Sequence, residues 1–223
     1  MKRAVLFDVD GVLLNSRGTT LGALAGIATA ALGRRVTTAD LPPDALSLPR
    51  AEVLTALGVP HPDEVLGLWW DVAVATAPRP YLFPGVLEGL SALKDVGTAM
   101  GLVTLQSRTR LPWLLPPAVL DLMDVIVCWE DAEPKPSPAG ILQALNGLAV
   151  SPQHALFVGD SGIDRAAARA AEVPFSGAGW GFGGPDALAG PGTRAVLSTP
   201  SEIGTGLLDL IEPAPDLARS KRS

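Results

Sequence analysis

Six short runs rich in Val, Leu, Ile and Phe constrain this chain more than any other feature: Ala4–Asp8, Ala99–Thr104, Val125–Cys128, His154–Gly159, Val173–Phe175 and Ala195–Leu197. Gly, Asp or Pro bounds them, and the stretches Gly85–Val96, Ser137–Gly147 and Ile163–Ala171 that lie between them carry apolar residues at helical spacing. Runs without polar alternation belong to strands covered on both faces, and strands alternating with helices build βαβ units. The expected fold is therefore α/β, with a doubly wound, mostly parallel sheet. With 223 residues, 48% of them hydrophobic, the chain has the apolar content to bury such a core.

Residues 9–98 separate the first run from the second, far more than a crossover needs. Within that interval Thr20–Leu32, Ala51–Leu57 and Glu64–Thr76 read as helices, and Thr76–Pro84 reads as a proline-stiffened return. The expected organisation is a core of residues 1–16 and 83–211, an inserted α-helical cap of residues 17–82, and a frayed tail of residues 212–223.

A net charge of −6 argues against nucleic acid or an anionic membrane as partner, since both require a basic face. Cys128 is the single cysteine, which excludes an intramolecular disulfide and a cysteine-rich zinc site. No apolar window reaches the length of a membrane span, and the apolar stretch after Lys2-Arg3 is too short for a secretion signal, so the expected location is cytoplasmic. The expected assembly is a monomer or a homodimer.

In open α/β sheets, ligands bind beyond the carboxyl ends of the strands. The first such end reads Phe7-Asp8-Val9-Asp10-Gly11, two acids two residues apart followed by a glycine that frees the turn. Such a pair repels itself and suits a hard divalent cation such as Mg²⁺, although an Asx turn explains the same residues equally well. The second end, Val103-Thr104-Leu105-Gln106-Ser107, offers a hydroxyl and backbone N–H groups to an anion, or a helix cap. In Glu133-Pro-Lys-Pro-Ser137, Lys135 sits between two prolines just before a helix, as a charge-neutralising lysine or a solvated one. The fourth, Val158-Gly-Asp-Ser-Gly-Ile-Asp164, ends a strand in Asp160, and Ser161 with Asp164 fits a capping box for the next helix.

Taken in order, an acid pair, a hydroxyl, a lysine and Gly-Asp, all at strand ends, resemble the haloacid dehalogenase-like (HAD) hydrolase superfamily. The resemblance runs over most of the chain through Asp8–Leu13, Val103-Thr104, Lys135–Pro138 and Gly159–Asp164, with Pro84-Gly85-Val86 and Trp180-Gly181 also similar to stretches of that family. The inserted helices resemble the cap of its phosphoglycolate phosphatase and β-phosphoglucomutase-like group.

That resemblance implies a phosphatase of small phosphorylated metabolites. Asp8 is implied as the nucleophile that forms an aspartyl-phosphate, and Asp10 as the general acid and base. Thr104 is implied to hydrogen-bond the transferring phosphoryl group and Lys135 to offset its charge. Mg²⁺ is implied to be held by Asp8, the backbone carbonyl of Asp10, and Asp160, with Ser161 and Asp164 behind them orienting Lys135 or metal waters. Leu105 and Gln106 depart from the small or Asn-containing segment common in relatives, so the phosphate-side loop is expected to be lined differently. Glu172 stands where a glycine is common. Arg50 lies in a segment of the cap where relatives present substrate-contacting side chains, its rival reading being an ordinary exposed arginine.

The branches that cleave halides or phosphonates lack an acid at the place of Asp10, which favours phosphate-ester hydrolysis. A phosphomutase of the β-phosphoglucomutase type, or a binding protein that keeps the fold without catalysis, are the alternatives. Gly179–Gly184 fits G-x-G-x-x-G, but Pro185 follows it and no acid lies twenty residues on, so it reads as a flexible loop. His61 and His154 are isolated, Cys128 reads as a small buried hydrophobe, and Trp69 and Trp70 as cap packing.

Overall fold

The computed structural model describes residues 2–211; the tail expected to fray, Glu212–Ser223, lies outside them. Its strands, in chain order, are β1 (Ala4–Phe7), β2 (Leu14–Asn15), β3 (Tyr81–Leu82), β4 (Ala99–Val103), β5 (Val125–Val127), β6 (Ala155–Gly159), β7 (Phe175–Ala178) and β8 (Thr193–Leu197). Its helices are α1 (Arg17–Leu32), α2 (Arg50–Ala56), α3 (Pro62–Thr76), α4 (Val86–Asp95), α5 (Leu111–Leu114), α6 (Pro117–Leu120), α7 (Ala139–Leu148), α8 (Gly162–Ala170) and α9 (Pro185–Leu188).

Six strands form one parallel sheet in the order β5-β4-β1-β6-β7-β8, a doubly wound arrangement in which the winding reverses at β1. All four residues of β1 are buried, which is why its sequence lacks polar alternation. Successive side chains face opposite ways: Val5 and Phe7 pack with Val86, Leu90 and Leu93 of α4. Ala4 and Leu6 pack on the other face with Ile141, Ala144 and Leu145 of α7 and Ala167 and Ala168 of α8.

Two readings change. The strand expected at Val173–Phe175 lies instead at Phe175–Ala178. Pro174 has no N–H to give a ladder, and the N–H of Val173 instead closes α8 on the carbonyl of Ala168. The small residues Ser176, Gly177 and Ala178 carry no strand-like pattern, yet smallness is needed there, since a Cβ on Gly177 would come within 2.8 Å of Leu188. The return read at Thr76–Pro84 also contains β3, which pairs antiparallel with β2, Leu14 opposite Leu82 and Asn15 opposite Tyr81. The two passages between sheet and insertion are thereby tied together, with Asn15 Nδ2 donating to the Tyr81 hydroxyl at 2.8 Å.

Helices α1, α2 and α3 enclose their own apolar cluster, including Leu24, Ile27, Val53, Leu54 and Trp70. Trp70 is 7% exposed, but Trp69 is 43% exposed, so the packing expected of both belongs to Trp70 alone. Among the described residues no helix is long and apolar enough to cross a membrane.

Candidate active site

Because β4, β1 and β6 are adjacent and parallel, their carboxyl ends lie side by side, and the residue after each enters one small region. These residues are Thr104, Asp8 and Asp160, all buried. Lys135, on the segment before α7, reaches the same place: its Nζ donates to Asp8 Oδ1 at 2.8 Å, to Asp164 Oδ1 at 2.6 Å and to the carbonyl of Val103 at 3.3 Å. An ammonium has three donors, and all three are used within the protein.

Asp164 does two things at once. Its Oδ2 accepts the backbone N–H of Ser161 at 3.1 Å while the Ser161 hydroxyl faces the Asp164 N–H, which is the expected capping box of α8. Its Oδ1 faces Lys135. Capping and charge pairing are thus served by one carboxylate through its two oxygens.

Carboxylate oxygens of Asp8, Asp160 and Asp164 lie within 4.8 Å of one another. Burial pushes Asp8 well above the usual carboxylate range, Lys135 opposing and the neighbouring acids reinforcing. Burial pushes Asp160 up to about 7, with Asp164 adding to the effect and the N–H of Phe182 opposing it. Burial alone would lower Lys135, but the charges of Asp164 and Asp8, and the hydrogen bonds to them, hold it above its ordinary value. Three buried carboxylates against one ammonium leave negative charge uncompensated, and the donors are all hard oxygens, so the cluster fits a divalent cation of the Mg²⁺ or Ca²⁺ kind.

Asp10 does not join that cluster. After β1 the chain turns at Gly11, with φ of 77°, and the Asp10 carboxylate points elsewhere, its Oδ2 accepting from Gln106 Nε2 at 2.7 Å and its Oδ1 buried without a partner. The two acids that the sequence places as a pair therefore have separate surroundings, which is what two different chemical roles require. The Gln106 backbone N–H donates to Thr104 Oγ1 at 3.1 Å, and Leu105 lines a narrow recess with Thr104, Trp129 and Lys135. Cys128, also on that recess, is buried, and burial pushes its thiol up to about 11, as befits an inert small hydrophobe.

Arg50 opens α2 and is half-buried, its guanidinium lying 4.1 Å over the Trp70 ring. Burial holds it below its ordinary value, while the charge of Asp10 acts against that and the charge of Arg110 with it. The exposed-arginine reading does not describe it.

Sequence reasoning missed two parts of this region. The loop Gly179–Gly184, read as flexible apart from the family likeness of Trp180-Gly181, wraps Asp160: the Phe182 N–H donates to Asp160 Oδ2 at 2.7 Å, and Trp180 Nε1 donates to the carbonyl of Val12 at 3.1 Å. A Cβ on Gly181 would come within 2.3 Å of Asp160 Cβ, and one on Gly11 within 2.0 Å of Asp160 Oδ2, so glycine is the residue that fits at both places. Glycine density directly after a strand was the available signal. The other missed part is Arg110, whose Nε donates to Gln106 Oε1 at 3.0 Å and whose Nη1 pairs with Asp71 of α3. Separately, a hollow of about 600 Å³ lies between α1 and α3, lined by Ile27, Leu68, Trp69 and Val72 among others. It is mostly apolar, holds no titratable side chain, and includes none of the residues around the carboxylate cluster.

Comparison with known proteins gives the same arrangement a context. The model of the family described as haloacid dehalogenase-like hydrolase matches residues 5–178. The phosphoglycolate phosphatase, plasmid, of Cupriavidus necator is 31% identical over 211 residues, spanning 88% of this chain and 89% of its own. A phosphoglycolate phosphatase of Xylella fastidiosa strain 9a5c is 36% identical over 196 residues, 81% of each chain. The crystal structure of a candidate phosphoglycolate phosphatase from Lactobacillus plantarum superposes with a TM-score of 0.77 at 28% identity, covering 94% of this chain and 100% of that one.

Proposed function

The chain belongs to the haloacid dehalogenase-like hydrolase family, and from that premise we propose that it hydrolyses phosphate monoesters of small metabolites through an aspartyl-phosphate on Asp8, with Mg²⁺ as cofactor. The observation that carries this reading is the division of the two acids: Asp8 is held by Lys135 inside the buried carboxylate cluster, and Asp10 is held outside it by Gln106. Lys135 occupies Oδ1 of Asp8 and leaves Oδ2 for attack on phosphorus. As the new bond forms, the ester bond breaks and Asp10 delivers its proton to the leaving oxygen. Asp10 then takes a proton from water, which attacks the same phosphorus and releases inorganic phosphate and Asp8. The Thr104 hydroxyl, which accepts from the Gln106 N–H, would donate to the phosphoryl oxygens.

Asp8, Asp160 and the backbone carbonyl of Asp10 would hold Mg²⁺, with Asp164 fixing Lys135 beside them. Bound there, the cation offsets the charge of the carboxylates and of the phosphoryl group. The helical insertion acts as a cap, and Arg50 is its candidate contact to the substrate. Since the two curated relatives named above are phosphoglycolate phosphatases, phosphoglycolate heads the substrates to try.

The test is inorganic phosphate release from phosphoglycolate, sugar phosphates and nucleotides, with Mg²⁺ and with EDTA. Release in proportion to substrate, abolished by EDTA, is the expected result. Folded protein silent on every ester, or interconverting sugar phosphates without releasing phosphate, would overturn hydrolysis. A narrower expectation concerns the glycine under Asp160. Gly181→Ala must displace that carboxylate, and the Mg²⁺ concentration giving half-maximal release is expected to rise at least about tenfold. An unchanged Mg²⁺ titration in a folded Gly181→Ala protein would remove Asp160 from the metal set.

A further inference from the structure

We propose that Asp71, on the helical insertion, is a positioning residue that acts through Arg110 and Gln106 to hold the Gln106 amide on the Asp10 carboxylate, so that the acid is aligned only when the insertion is seated on the core. The inference rests on the phosphatase reading for what Asp10 does, and on geometry for the link itself.

The link is a continuous chain of polar contacts. Asp71 pairs with Arg110 Nη1, Arg110 Nε donates to Gln106 Oε1 at 3.0 Å, and Gln106 Nε2 donates to Asp10 Oδ2 at 2.7 Å. The orientation of the amide is forced by the arginine, which only donates: Oε1 of Gln106 must face Arg110, which leaves Nε2 to donate to Asp10. Among the described residues Gln106 is the hydrogen-bond donor to the Asp10 carboxylate, whose other oxygen is buried and unpartnered. The rotation of that carboxylate about its own bond is therefore set by Gln106.

What holds Gln106 is Arg110, whose side chain is 10% exposed and whose charge is met by Asp71, 63% exposed on α3. An ion pair between exposed groups would contribute little, but a nearly buried guanidinium needs its counter-charge. Because Asp71 belongs to the insertion and Arg110 to the sheet domain, that counter-charge is present only when the two are in contact. Asp10 thus senses the position of α3 without touching it.

A double-mutant cycle tests the claim. Asp71→Asn is expected to lower kcat about tenfold with KM within twofold of wild type, and Asp71→Glu to restore most of the loss. In a Gln106→Met background, which has already lost the amide, adding Asp71→Asn is expected to change kcat by less than twofold. Equal losses from Asp71→Asn in both backgrounds would mean that Asp71 acts elsewhere, and would overturn the inference. The Gln106 side-chain amide, assigned in the ¹⁵N NMR spectrum by its loss in Gln106→Met, gives a readout without turnover. It is expected to exchange slowly in wild type and to move to the free-amide position in Asp71→Asn, and an unmoved resonance overturns the link. Absence of turnover in wild type would remove the phosphatase reading while the NMR result still decides the link.

Discussion

Asp8→Asn is expected to lower phosphate release by about 10⁴-fold or more, with the fold intact. Asparagine keeps the shape of the side chain and an oxygen able to accept from Lys135, so the contact seen at 2.8 Å in the native protein survives. What is lost is the anionic oxygen that the proposed mechanism uses to attack phosphorus. Stability is expected to change little, since the substitution also removes one of three clustered buried carboxylates. Melting temperature and phosphate release, measured on the same preparation, check both halves. Release above about one hundredth of wild type would mean that the phosphoryl group goes to water directly and that Asp8 is no nucleophile.

The residues that build this centre were legible to different degrees, for physical reasons. Asp8, Thr104 and Asp160 stand out because an apolar strand that stops at a polar residue marks the edge of a parallel sheet, and the sheet's winding then brings those edges together. Lys135 is visible through its place in the order and through the prolines that fix it. Gln106 is legible as part of the anion-holding strand end, but not its link to Asp10 and Arg110, since these come together through tertiary contacts no periodicity encodes. Asp71 and Arg110 are charges on two segments that look solvated when each is read alone, and only their meeting makes them a pair. The strand at Phe175–Ala178 was misplaced for a related reason: a strand closely covered by its neighbours can be built from small residues, which mimic a loop.

Lys135→Met is expected to produce the largest loss of stability, and one that depends on pH. In the native protein Lys135 is the cation between Asp8 and Asp164, with side chains 4%, 10% and 1% exposed respectively. Removing one member of such a buried group costs about 3–5 kcal/mol, because the carboxylates remain out of water without compensation. Asp8 and Asp160 can relieve the penalty by taking up protons, and burial already raises Asp8 and places Asp160 at about 7 while Lys135 is present. Unfolded, each carboxyl titrates near 4, so above that pH the folded chain binds more protons than the unfolded one. Stability then falls as pH rises toward the raised native values, and is regained as pH drops below them. The deficit of Lys135→Met against wild type, measured by urea unfolding in EDTA, is therefore expected to be large at pH 8 and much smaller at pH 5. Mg²⁺ at pH 8 is expected to return part of it, since a bound cation replaces the charge that the lysine supplied. A deficit of equal size at both pH values would show that the lysine holds its place by packing over Phe157, whose ring lies 5.6 Å from Nζ, and not by charge.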